Sequence, residues 1–195
     1  MSKSIMKKEN INLSEHLTSS SVAALSHSSE LDGLRLSPHF TLAELTKTKS
    51  GIDNVPNEAQ VENLKRVCRW LEELRLRYNQ LYVCGIVPQC CEQHSWDSPE
   101  EEPIIINSGF RSAEVNKAVG GSPTSNHLTG CAVDIRVCGI EQLLRYAVIL
   151  LDISDESKED FDELLLERKG PVMWLHFAVR PKDNRRKVRI VATTG

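Results

Sequence analysis

The spacing SxHxxGxAxD, running from Ser125 through His127, Gly130 and Ala132 to Asp134, constrains this chain more than any other stretch. Its last residues alternate as a strand does, sending Val133 and Ile135 toward a core and leaving Ala132 and Asp134 together on the opposite face. An aspartate inside an apolar strand is costly to bury unless it is paired or ligates an ion. Histidine nitrogen and carboxylate oxygen both suit zinc, and three protein ligands plus a water describe a catalytic rather than a structural site. The spacing therefore predicts a metal site with His127 and Asp134 as two ligands and a third donor elsewhere. Cys131 sits inside the motif, but alternation places it opposite Ala132 and Asp134, where packing is the better reading.

The approach to this motif is patterned too. Pro103 precedes the apolar run 104–106, which predicts a short buried strand ending at the Asn107-Ser108-Gly109 turn. Arg111 leaves that turn. Ser112 caps a short helix reaching Val119, which Gly120-Gly121 ends by supplying positive φ. Residues 122–126 form a polar loop leading to His127. The best third donor is His176, which interrupts the apolar run 172–179 on the face shared by Trp174 and Ala178. Taken alone, a histidine in a strand is more often a core or surface residue than a ligand.

The remaining elements read as a single α+β domain, with helices packed on a mainly antiparallel sheet. Thr41 to Glu44 is a capping box opening a short helix, with His39-Phe40 as its packing anchor. The Asp53-Asn54-Val55-Pro56 turn launches a helix over 57–78, with Val61, Leu64, Val67, Leu71 and Leu74 on one face. A second amphipathic helix covers 140–151, with Leu143, Leu144, Ala147, Val148 and Leu151 inward, and acidic residues 152–160 make a loop. Strands 161–167 and 172–179 are joined by Arg168-Lys169-Gly170-Pro171, and a last strand covers 188–191.

A chain of 195 residues at 40% hydrophobic and 26% charged is long and apolar enough for one soluble domain. A net charge of −3 gives no general reason to expect nucleic acid or an acidic membrane as partner. The basic run 182–187 lacks interleaved aromatics and reads as a solvated turn. Residues 1–35 are polar, read as a disordered leader, and hold no apolar run for a signal peptide or membrane span. The leader is either a surplus tail or a tether to a partner or to the cell wall. These features predict a monomer, cytoplasmic as synthesised. Six cysteines without zinc-finger or CxxC spacing fit reduced thiols.

The segments SGFRS, VNKAVGG, SNHLTGCAVDI, FDELLLE and WLHF, in this order and spacing, resemble the zinc D-alanyl-D-alanine carboxypeptidase family, in particular its phage and prophage branch. The likeness also covers LSPHFTLAELTKTKSGIDNVPNEAQVENL and NRRKV, spanning residues 36–191 of a domain placed at 36–192. It implies zinc held by His127, Asp134 and His176, a carbonyl-polarising Arg111, and peptidoglycan peptides as substrates, reached after release from the cell. The fold is shared with hedgehog signalling domains, which keep zinc without established peptidase action, so a non-catalytic zinc module that binds wall peptides or a partner is the alternative. A phage structural component with a residual fold is a third reading.

Two features depart from the family pattern. Residues 84–102 form an inserted loop, in which His94 and Trp96 could flank a cleft and Cys90, Cys91 and His94 could take up a metal. The acidic residue that many relatives carry three positions before the final histidine is replaced by Met173. Glu167, at the end of the preceding strand, is then the expected general base, as the resemblance supports, with Glu163, Asp162 or His94 as substitutes. Ser125 is expected to hydrogen-bond behind the metal ligands.

Overall fold

Local chemistry sets the helix starts. Thr41 accepts from the Glu44 amide while the Glu44 carboxylate accepts from the Thr41 amide, opening α1 (Leu42–Thr46). Asn57 and Gln60 repeat this reciprocal arrangement at the start of α2 (Glu58–Tyr78). The structure, a computed structural model, describes residues 33–83 and 101–193. The leader expected over most of 1–35 and most of the inserted loop, with Cys90, Cys91, His94 and Trp96, therefore lie outside the described residues.

Strands β1 (Ile106–Ser108), β2 (Ala132–Arg136), β3 (Glu163–Lys169), β4 (Val172–Ala178) and β5 (Lys187–Thr193) form one sheet in the order β1-β2-β4-β3-β5. Its pairings are antiparallel except β3 with β5, which is parallel. With α3 (Ala113–Ala118) and α4 (Ile140–Ser157) the architecture is the expected α+β. Among the described residues no helix is long and apolar enough to cross a membrane.

Alternation gives the sheet two unlike faces. Val133, Phe177 and Leu164 lie side by side across three strands, as do Ile135, Leu175 and Leu166. These residues join Leu64, Val67, Leu71 and Leu74 of α2 and Tyr146, Ile149, Leu150 and Ile153 of α4 in one core. Trp70 of α2 packs on Phe177 with ring centroids 5.3 Å apart. Burying such side chains contributes about 1.5–3 kcal/mol each, so this face is where the fold is stabilised. The other face carries Asp134, His176, Glu163 and Glu167.

Several expected boundaries shift. Helix α4 runs on to Ser157, through residues read as an acidic loop, because Ile153 and Ser154 are still buried against the core. Its inward stripe holds Leu143, Tyr146, Ala147, Leu150 and Ile153, whereas Leu144 and Val148 are about half exposed. The run before Asn107 is strand only from Ile106, and Ile105 faces outward. The hairpin turn tightens to Gly170-Pro171, since Lys169 already pairs with Val172. β5 is longer than expected because its whole length pairs with β3. Phe40 is buried as an anchor, but His39 is exposed and its Nδ1 lies 2.6 Å from the Glu72 carboxylate. Helix α2 continues into a wider π-helical turn, Asn79–Val83, in which the Asn79 side chain donates to the Arg75 and Glu102 carbonyls.

The 182–187 run is largely the exposed turn expected, but some of its charges engage the sheet. Asp183 and Arg186 adopt φ of 56° and 46°, reversing the chain so that Arg185 and Lys187 return to the sheet. Fully buried Asp162 accepts from Arg185 Nε at 2.8 Å and Nη2 at 2.7 Å, accepts from Asn126 at 2.8 Å, and pairs with Arg180 at 2.8 Å. Burial opposes its charge, but these donors win and hold the Asp162 carboxyl below its ordinary value. A carboxyl depressed on folding stabilises the protein above the unfolded-state value of about 4 and loses that contribution as the pH falls. Urea unfolding should therefore show stability falling below about pH 4, with a shallower fall in Asp162→Asn; equal slopes in both proteins would remove this role.

Candidate functional site

Strand register brings two ligands of the expected metal site together. Asp134 of β2 is paired with His176 of β4, and its Oδ1 lies 2.9 Å from His176 Nδ1. A slip of one residue would set Leu175 or Phe177 there instead. His127 arrives from a 3-10 turn, Asn126–Thr129, and its Nε2 lies 3.2 Å from the same Asp134 oxygen. All three side chains are buried, and their donor atoms lie within 4.8 Å of one another. Among the described residues no other group of His, Cys, Asp or Glu gathers in this way.

The donor set fits zinc. His127 Nδ1 donates to the Gly109 carbonyl at 2.5 Å, which leaves the lone pair on Nε2, directed at Asp134 and His176. Bonds of about 2.1 Å at tetrahedral angles separate ligand atoms by about 3.4 Å, close to the spacing seen. Burial lowers the His127 imidazole below its ordinary value and keeps it neutral, the form that ligates. Burial also opposes the Asp134 charge, but His127 and His176 hold that carboxyl far below the usual carboxylate range. For His176 burial works against protonation, yet the Asp134 and Glu163 carboxylates raise it to about 9.

Glycines make this convergence possible. A Cβ on Gly109 would stand 2.3 Å from the Leu45 carbonyl oxygen, so the backbone that holds His127 Nδ1 can lie against α1 only without a side chain. Gly130 turns the chain from the 3-10 segment into β2 with φ +70°, and a Cβ there would be 2.6 Å from the Gln60 carbonyl oxygen. The motif glycine is therefore a backbone requirement of α2 packing. Gly130→Ala should lose about 3 kcal/mol, from left-handed strain plus overlap, and should weaken zinc retention because His127 moves with it. Unchanged urea midpoints would refute this.

Around the three ligands lies a second ring of polar groups. Arg111 Nη2 pairs with Asp134 Oδ2, its Nε donates to Ser108 Oγ at 2.8 Å, and its amide donates to the His127 carbonyl at 3.1 Å. Ser125 accepts from the His127 backbone amide at 3.3 Å and so caps the 3-10 turn, while the contact behind the ring is the Gly109 carbonyl. Glu163 Oε2 stands 3.7 Å from His176 Nε2, an ion-pair distance, and Glu163 Oε1 accepts from Lys187 Nζ at 2.7 Å. That facing imidazole, with Lys187, holds the Glu163 carboxyl well below its ordinary value. Glu167 pairs with Trp174 on the site face, and burial raises its carboxyl. Arg111, Ser125, Glu163, Glu167, Trp174 and Lys187 line one open cavity of about 620 Å³ with the three ligands.

This arrangement pairs a buried N,N,O metal set with an arginine and two carboxylates of opposite tuning, above a cavity of ligand size. Residues 38–150 match the family model described as Peptidase M15, more than half of the chain. The chain belongs to the peptidase M15 family. A search of curated proteins finds no match. M15 peptidases, the zinc D-alanyl-D-alanine carboxypeptidase family, are zinc-dependent, and the group His127, Asp134 and His176 could bind the metal. In this M15 peptidase the matched span includes Arg111, His127 and Asp134. His176, Glu163 and Glu167 lie beyond it and reach the site through sheet pairing.

Sequence reasoning brought His127, Asp134, His176, Arg111, Ser125 and Glu167 to the site, and all six line the cavity. It missed Asn126, Arg185 and Lys187, which also line it. Glu163, expected as a substitute base, lines the cavity as well, because the period of two sets it with Glu167 on the His176 face. Arg185 and Lys187 had no comparable signal, because only the chain reversal at Asp183 and Arg186 returns them.

Proposed function

We propose that this chain is a zinc peptidase that hydrolyses peptide bonds in peptidoglycan stem or cross-link peptides, of the D-alanyl-D-alanine carboxypeptidase or endopeptidase type and of phage or prophage origin. The observation that carries the reading is the convergence of His127 Nε2, Asp134 Oδ1 and His176 Nδ1 at one open cavity. When bound there, zinc supplies a Lewis acid and lowers the pKa of a coordinated water. Glu167 takes the proton of the attacking water, and its burial-raised carboxyl brings its basicity nearer to neutral pH than an exposed glutamate has. Arg111 serves twice: it orients the Asp134 carboxylate and offers positive charge to the carbonyl oxygen as charge grows there. Glu163, tied to Lys187, faces the outer nitrogen of His176 and orients that ring.

The test is purified protein incubated with peptidoglycan, with and without a chelator, with products identified by mass. Chelator-sensitive release of D-alanine or of cleaved stem peptides is the expected result. Stoichiometric zinc with wall-peptide binding and no product would instead establish the non-catalytic zinc module. Arg111→Ala should lower turnover by about 10²–10³. Because Arg111 holds Asp134, it should also weaken zinc affinity by about 10–100-fold. A zinc-saturated Arg111→Ala protein with the parent's turnover would limit the arginine to a structural pair.

A further inference from the structure

A second groove of about 610 Å³ adjoins the catalytic cavity and shares Arg111 and Val119 with it. Among the described residues its lining contains four cations, Lys47, Lys49, Arg111 and Arg136, and no carboxylate. Among the described residues Lys47, Lys49 and Arg136 have no acidic side chain within 4.0 Å, whereas Arg111 pairs with Asp134. Such a concentration runs against the chain's net charge of −3. Ile105 and Val119 are about half exposed in the same groove, giving an apolar bed between the charges. Part of the wall is β1, the last strand of the sheet on that side, paired with β2 alone among the described residues. An extended chain can lie along such an edge.

We propose that this groove is an extended subsite that binds the carboxylate-bearing arm of an acidic peptide whose scissile bond lies in the adjoining cavity. The assignment rests on the peptidase reading for the identity of the peptide. Lys47, Lys49 and Arg136, unpaired among the described residues, supply charge complementarity, the exposed aliphatic pair supplies contact for short side chains, and the shared Arg111 makes the two spaces one path. A volume of about 600 Å³ is within the range that holds a ligand of several residues. The groove thus selects acidic over amidated peptides, while the three metal ligands set where cleavage falls.

The experiment uses the full chain loaded with zinc and a fluorescently labelled wall stem peptide in two forms, one with free side carboxylates and one with those groups amidated. Anisotropy titrations are run at low and moderate salt on the parent, on Lys47→Gln/Lys49→Gln and on Arg136→Gln, with zinc content measured for each and the parent repeated after zinc removal. The parent should bind the acidic form about five- to tenfold more tightly than the amidated one, with the preference shrinking as salt rises. The double variant should lose most of that preference at unchanged zinc content, and the zinc-free parent should retain it. Equal preference in the parent and both variants, no binding of the acidic form, or tighter binding of a single-stranded oligonucleotide of the same charge would each overturn the subsite. Cleavage of wall peptides without dependence on residues 47, 49 and 136 would leave the peptidase standing and remove the groove. A carboxylate preference in a protein that never cleaves would do the reverse.

Discussion

His127→Ala and His176→Ala are each expected to lose the bound zinc on dialysis and, with it, all measurable hydrolysis. The three-ligand set has no spare donor, since no further His, Cys, Asp or Glu joins the group among the described residues. Partners behind a ligand typically change metal affinity by about 10–100-fold, so removing a ligand itself should cost at least about 10²-fold. The fold should survive, because the α2 and α4 core lies on the opposite sheet face, where Val133, Phe177 and Leu164 pack. Elemental analysis with circular dichroism checks this directly. One zinc per chain retained in both variants would mean that the metal sits elsewhere.

Glu167→Gln is expected to keep zinc and fold yet lose about 10²–10⁴ in turnover, the usual contribution of a positioned base. The substitution keeps size and hydrogen-bonding reach beside Trp174 while removing the basic oxygen. Glu163→Gln is the informative companion. Its carboxylate is occupied by Lys187 and faces His176 Nε2, so its loss should weaken zinc affinity by about 10–100-fold with a small effect on turnover at saturating zinc. If Glu163→Gln abolished turnover at full zinc occupancy and Glu167→Gln did not, the base would be Glu163.

Fold and site were legible wherever a local rule applies. Thr41 with Glu44, Ser112, and the α2 stripe from Leu64 to Leu74 formed as their capping and periodicity predict. Where the reading failed, burial by distant elements overrode local composition. The acidic end of α4 stays helical because Ile153 and Ser154 pack inward, and Leu144 and Val148 face outward because the stripe of α4 is set by what it meets. The 182–187 run is the exposed turn its composition predicts, but Asp162, far away in sequence, engages the Arg185 guanidinium while about half of that side chain stays in solvent.

The chemistry of the candidate metal set, two imidazoles and a carboxylate with Gly130 between His127 and Asp134, was written in residue identity and spacing, because ligand type and strand alternation are local properties. What made those residues a site was pairing. The register of β2 on β4 sets Asp134 against His176, and that of β3 on β4 carries Glu163 and Glu167 to the same face. The parallel return of β5 brings Lys187 opposite Glu163. The contact of Gly130 with α2 aims His127. Those choices depend on which surfaces bury together across tens of residues, and the free energy that selects them comes from the apolar face of the sheet, where the candidate site contributes nothing.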